Sequence, residues 1–185
     1  CLTTMLLVII STVGNGVIHL QKSQAAGSYG SNYGLFVSAD GSQLKEVNRR
    51  AEIDATGTMC TEGIIKGNEK GGFVCMDETA RKMLPYNKEY ELKEGKYPGG
   101  TQEIAAGRAF FSEMGYDDVK VGDTVTLDYR AGMQSEYKPE EFVVSGILYD
   151  RDEYTIEASY VAFGSQEFYD EHVAENDRQY NIYFT

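Results

Sequence analysis

No Asp, Glu, Lys or Arg occurs in residues 1 to 21; the first charged side chain is Lys22. All 17 basic and 29 acidic residues of this 185-residue chain therefore lie in the remainder. This division constrains the fold more than any other feature, because a charge-free stretch and a charge-rich one suit different solvents. Leu2, Met5, Leu6, Leu7, Val8, Ile9, Ile10, Val13, Val17, Ile18 and Leu20 make the first stretch apolar. As a helix rising about 1.5 Å per residue it would reach roughly 31 Å, near one hydrocarbon thickness. Three readings compete. A buried soluble helix should carry a polar stripe, and Met5 to Ile10 has none. A secretory signal should open on a start Met and a basic region, and neither is present. A transmembrane helix cut short at its start fits best, since the chain opens on Cys1. Thr3, Thr4, Ser11, Thr12, Gly14, Asn15 and Gly16 are small or mildly polar, as where membrane helices pack together.

Residues 22–34 (KSQAAGSYGSNYG) read as a joint. The spacing of Gly27, Gly30 and Gly34 is not that of a phosphate-binding loop, and no Lys-Ser or Lys-Thr follows. The expected domain spans 35–185, and its 25% charged residues and 42% hydrophobic residues over the chain suit a globular protein. A formal charge of −12 excludes the basic surplus that nucleic acid or an anionic lipid surface would require.

The expected elements alternate between strands and short helices. Leu35 to Ser38 is a strand; Asp40 caps a helix with Leu44, Val47 and Ala51 at helical spacing. Ile53 to Thr58 is a second strand. Met59 to Lys66 and Phe73 to Met76 form a hairpin about Gly67 to Gly71. Asp77 caps a helix burying Ala80, Met83 and Leu84, ended by Pro85. Ala106 to Met114 is a helix closed by Gly115. Thr124 to Tyr129 alternates after a turn at Gly122, and Phe142 to Leu148 is a central strand with Gly146 a close approach. Tyr160 to Phe163 is a short strand. Ser165 caps a helix carrying Phe168, Tyr169, His172 and Val173. Gln179 to Thr185 is a last strand, and a chain ending there is expected to be incomplete at its C-terminus.

Catalytic chemistry finds few candidates. His19 and His172 have no second ligand at metal spacing, and no Gly-x-Ser-x-Gly elbow or Cys/His signature occurs. Asp150, Asp152 and Glu153 could hold calcium, but they lack the spacing, glycine and distal Glu of an EF-hand and read better as a solvated loop. If the hairpin is centred between Gly67 and Asn68, Cys60 and Cys75 stand opposite each other, within reach of a strained disulfide. The plainer alternative is two small buried residues.

ELKEGKYPGGTQEIAAG (Glu91 to Gly107), MGYDDVKVGDTVTL (Met114 to Leu127) and EFVVSGILYD (Glu141 to Asp150) together resemble the extracytoplasmic core domain of MacB/FtsX-like ABC transporter permeases. The matching positions include Gly95, Pro98, Glu103, Gly115, Gly122, Asp123 and Gly146, all read as structural. Lys96 replaces a frequent Arg, and Met114 a Leu. The resemblance implies an α+β fold: a mixed β-sheet with short helices and a β-rich subdomain, on the outer end of a transmembrane helix. It implies a bacterial cell-membrane protein with residues 22–185 outside and lipid around residues 1–21. Its partners would be a cytoplasmic ABC ATPase, a second permease copy, and an exported substrate or external protein. The domain itself would be non-catalytic, without catalytic residues, metal or cofactor. The alternative from another class is a secreted or membrane-anchored binding or adhesion module with no transport role.

Overall fold

The computed structural model describes residues 31–84, 90–150 and 160–185. The charge-free stretch, the first nine residues of the joint, Pro85, Asp152 and Glu153 lie outside the described residues. None of the described helices is long and apolar enough to cross a membrane.

Local chemistry sets the short helices. Strand β1 (Gly34–Ala39) runs into helix α1 (Gly41–Val47). Asp40 accepts from the amides of Ser42 and Gln43, and the Gln43 side chain accepts from the Asp40 amide, a reciprocal capping box. The helix stops at Val47, so Ala51 is exposed rather than on its buried face. Strand β2 (Thr56–Ile65) is one element of 10 residues, where two strands were expected from Ile53 and Met59. Ile53 to Ala55 lie before it. After β3 (Gly72–Met76), Asp77 caps α2 (Glu78–Met83) through the Ala80 amide and also accepts from the Thr58 amide and hydroxyl. One carboxylate thus ties the helix to the neighbouring strand.

Strands β4 (Leu92–Gly95) and β5 (Glu103–Gly107) precede α3 (Arg108–Glu113). Ala106 and Gly107 belong to β5, so this helix begins two residues later than its apolar pattern suggests. Strand β6 (Thr124–Arg130) alternates, with Val125, Leu127 and Tyr129 buried between exposed neighbours. Strand β7 (Lys138–Leu148) begins four residues before its apolar run, because Lys138 to Glu141 pair with β6. Then come β8 (Val161–Phe163), α4 (Gln166–His172) capped by Ser165, a single 3-10 turn (Glu175–Asp177) and β9 (Tyr180–Phe184).

All nine described strands join one mixed sheet, so the β-rich part is continuous with the rest rather than a separate unit. The pairing closes on itself: β2 pairs β3, β3 pairs β8, β8 pairs β5, β5 pairs β7, β7 pairs β6, and β6 returns to β2. Two long strands make closure possible. Along one edge β2 pairs first with β9 and then with β6; along one edge β7 pairs first with β6 and then with β4. The largest core draws on all six strands of the ring: Ile65, Phe73, Ala162, Ile104, Phe142 and Leu127 among them. Phe110 and Phe111 of α3 and Phe168 of α4 complete it. Phe73 meets Tyr129, Phe142 and Phe168 edge-on at centroid separations of 5.5 to 5.9 Å, the geometry that aromatic quadrupoles favour. Outside the ring, β1 and β9 extend β2, and a smaller core of Ala39, Val47 and Ile182 packs α1 beneath them.

Candidate functional site

Two clusters lie at the ends of the ring strands. The first gathers the motif segments. Gly95 pairs with Gly146 where β4 crosses β7. Gly95 has φ +80°, and a β-carbon there would lie 2.3 Å from the Ser145 carbonyl oxygen. A β-carbon at Gly146 would lie 2.5 Å from the Lys96 carbonyl. Neither position can carry a side chain without moving backbone, so the two strands meet only because both are glycine. The turn that follows is clamped by Glu103: its Oε2 accepts from the amides of Gly99 and Gly100 at 2.7 and 3.1 Å, and its Oε1 accepts from Lys96 Nζ at 2.8 Å. The Lys96 hydrogen bond, then the Gly99 amide, holds the Glu103 carboxyl down to about 2. Lys96 thus performs a clamp that a guanidinium could also serve.

Gly122, with φ +97°, donates its amide to the Val144 carbonyl, and the Val144 amide returns to Asp123. Asp123 Oδ2 accepts from the Lys120 amide at 2.8 Å, closing that turn. Gly95, Glu103, Gly122, Asp123 and Gly146 therefore meet around β7. Pro98 follows Tyr97 into a neighbouring pocket. Gly115 sits apart from this brace. It ends α3 at φ +87°, where its amide and that of Tyr116 return to Ser112 and Phe111. Asp150 accepts from the Ala109 amide at 2.9 Å and so serves the start of α3.

The second cluster lies on β2 and β3, and the Tyr97–Pro98 segment leading on from the brace reaches its pocket. Cys60 and Cys75 are register partners on β2 and β3, and their Sγ atoms are 3.1 Å apart as free thiols. Gln166, first residue of α4, accepts from Cys75 Sγ at 3.2 Å and faces Cys60 Sγ at 3.9 Å. Tyr169 packs with the pair, its ring meeting Tyr180 edge-on at 6.1 Å. Cys75 lines a pocket of about 260 Å³ with Arg81, Tyr97, Pro98, Ser165 and Gln166. The Arg81 guanidinium lies 3.9 Å over the Tyr97 ring.

Beside the thiols is a carboxylate that the motif analysis did not single out. Glu62 is fully buried, and neither of its oxygens meets a hydrogen-bond donor among the described residues. Burial first, then the neighbouring Cys75, pushes its carboxyl up to about 10. It packs on Gly164, where a β-carbon would stand 1.9 Å from Oε2. The Tyr129 hydroxyl, itself pushed up by burial and by Glu62, donates to the Glu62 backbone carbonyl at 2.7 Å. The signal was present: along a strand Cys60 and Glu62 share one face, so an inward Cys60 places Glu62 inward. A bulge between Thr61 and Gly63 then shifts the phase, and Ile65 is the next fully buried side chain.

Among the described residues no group of three or more His, Cys, Asp or Glu could hold a metal ion. His172 stacks on Phe168 at 3.9 Å, and its Nδ1 lies 2.9 Å from the Phe168 carbonyl. Neither a family model nor a curated protein matches the chain. Among solved structures, the chain is similar to a domain described as part of a permease protein from Porphyromonas gingivalis. The identity is 13% and the TM-score 0.42, over 83% of this chain and 63% of that one. The chain thus spans less than two thirds of that domain's length.

Proposed function

We propose that this chain is the extracytoplasmic domain of the permease subunit of an ABC transporter of the MacB/FtsX-like kind. It would couple ATP-driven movement of its membrane helices to export of a substrate or control of an external partner. The observation that carries this reading is the convergence of the motifs. Three segments, quoted from sequence for their glycines, proline and acids, include five residues that meet in one brace around β7. A scattered chance match would have no reason to share a place in the fold.

Residues 1–21 would be the membrane helix from which the domain hangs, with residues 22–34 passing its motion outward. The last four residues of that joint are tied to the domain. The Ser31 amide donates to the Met83 carbonyl and the Tyr33 amide to the Phe184 carbonyl, and Gly34 begins β1. A pull on the joint would therefore act on β1, β9 and the end of α2. The domain would do no chemistry of its own; ATP hydrolysis would belong to a cytoplasmic partner, and a second permease copy would complete the assembly.

The test uses the full-length protein reconstituted in bilayers with a candidate ABC ATPase from the same organism. ATP hydrolysis should depend on the permease. Flexible Gly-Ser residues inserted within 22–34 should leave hydrolysis running while abolishing its coupling to transport or to partner control. Unchanged coupling would refute the mechanical role of the joint. A protein that neither stimulates nor binds an ATPase yet captures an external ligand is the anchored binding module instead.

A further inference from the structure

The thiol pair has no part in the brace or in the coupling proposed above, and the pocket that reaches it shares only Tyr97 and Pro98 with the segment that the brace clamps. Their backbone setting is informative. The Asp77 amide donates to the Thr58 carbonyl, whereas the Val74 carbonyl accepts from the Gly164 amide on the opposite side. Strand backbones reverse at every residue, so Cys60 and Cys75 occupy a hydrogen-bonded pair. β-Carbons in such a pair stand toward the wide end of about 4.5–5.5 Å, against about 3.5–4.5 Å in a relaxed disulfide. A bond formed there is held away from its preferred geometry, and such bonds are the readily reduced ones. Yet the two sulfurs already stand 3.1 Å apart, so forming the bond of about 2.05 Å brings them together by only about 1 Å.

Both thiols are buried, Cys75 at 6% exposure and Cys60 at 2%, but only Cys75 lines the pocket, beside Arg81 and Gln166. The hydrogen bond to Cys75, then burial, pushes the Cys60 thiol up and keeps it from being the first nucleophile.

We propose that Cys60 and Cys75 are a reversible dithiol–disulfide couple, exchanged with small external disulfides at Cys75 through this pocket. In the oxidising direction the Cys75 thiolate attacks one sulfur of a low-molecular-weight disulfide R–S–S–R. A Cys75–S–S–R bond forms and one R–S⁻ leaves, taking up the proton that Cys75 released. Cys60, deprotonated in turn, attacks the Cys75 sulfur; the Cys60–Cys75 bond forms and the second R–S⁻ leaves as R–SH. Two electrons pass from the protein to the external disulfide, which becomes two thiols. Excess thiol reverses both steps. Oxidation removes the Sγ–H donor to Gln166 and so alters the first turn of α4, whose Phe168 and Tyr169 are buried in the ring core and over the thiols.

The full chain, carrying Cys1→Ser so that only this pair reacts, is equilibrated without denaturant in buffers of rising oxidised-to-reduced glutathione ratio. Remaining thiols are then trapped by alkylation and weighed. The expected result is the joint loss of both alkylatable thiols and of about 2 Da before alkylation. Reduced glutathione should restore both thiols, no bound glutathione should persist, and amide exchange at the start of α4 should quicken in the oxidised form. Single variants assign the entry point. Cys60→Ser should accumulate glutathione on Cys75 about tenfold or more faster than Cys75→Ser does on Cys60. Thiols that stay alkylatable in the folded chain under oxidised glutathione overturn the proposal. So does a disulfide that reduced glutathione cannot open without denaturant. The wild-type pair decides the question even if a variant fails to fold.

Discussion

Two glutamates near strand ends, Glu103 in the brace and Glu62 beside the thiols, show how one side chain takes opposite roles in two regions of one sheet. Glu103 is partly buried, three N–H donors aim at it, and its carboxyl is held down to about 2. Glu62 is fully buried with no donor among the described residues, and its carboxyl rises to about 10. The difference lies in the donors that reach each carboxyl, the Lys96 ammonium and two backbone amides against none among the described residues, together with the deeper burial of Glu62. A turn of two glycines exposes free amides to Glu103, whereas the ring strands spend their amides on one another. The brace is an ionic clamp that gains from charge. The region of Glu62 tolerates its carboxyl only in the neutral form.

The largest expected effect tests that neutrality. The unfolded chain releases the Glu62 proton near 4.5 and the folded chain holds it to about 10. The folded state therefore binds more protons across that window, and stability falls as pH rises through it. At pH 7 the penalty is on the order of 3 kcal/mol, growing by about 1.4 kcal/mol per pH unit. Glu62→Gln should remove this slope in urea unfolding between roughly pH 5 and 9. An unchanged slope would mean that Glu62 finds a partner when ionised.

A smaller loss is expected from the brace. Gly146→Ala places a β-carbon against the Lys96 carbonyl and Leu92 Cδ2 at 2.5 and 2.6 Å. It should cost about 1–3 kcal/mol in the same assay, as overpacking does. Glu103→Gln should cost on the order of 1–2 kcal/mol at pH 7, discounted because Lys96 stands largely in solvent. Its sign is opposite to that of Glu62. The Glu103 contribution is full above its ordinary value of 4.5 and is lost as pH falls toward about 2. The wild-type protein should lose more than Glu103→Gln does on acidification in that window, and equal losses would break the contrast. The smallest effect belongs to Lys96→Met, at most about 1 kcal/mol and fading in high salt, as measured by melting at two ionic strengths.

Much of the fold could be read along the chain because its cues are local. Asp40, Asp77 and Ser165 cap helices; Gly115 and Gly122 stand at positive φ; and Val125, Leu127 and Tyr129 face inward by simple alternation. Boundaries went astray where a neighbour supplied the reason for an element to extend or stop. The polar start of β7 is strand only because β6 pairs with it, and Ala106 is strand because β7 and β8 flank it. Cys60 and Cys75 could be placed opposite each other by counting about the turn. Glu62 needed strand alternation applied to a polar residue, and a bulge between Thr61 and Gly63 blurs that pattern.

The sequence by itself determined the division at Lys22, the caps, the turns and the inward faces, since each depends on residues a few positions apart. Only the tertiary structure decided that six strands close into a ring, that Gly95, Gly122, Gly146 and Glu103 share one brace, and that Glu62 lies sealed beside two thiols. These features depend on pairings between residues far apart in the chain. The environment of a carboxyl or a thiol, and hence its charge, is a property of the neighbours brought to it by those pairings.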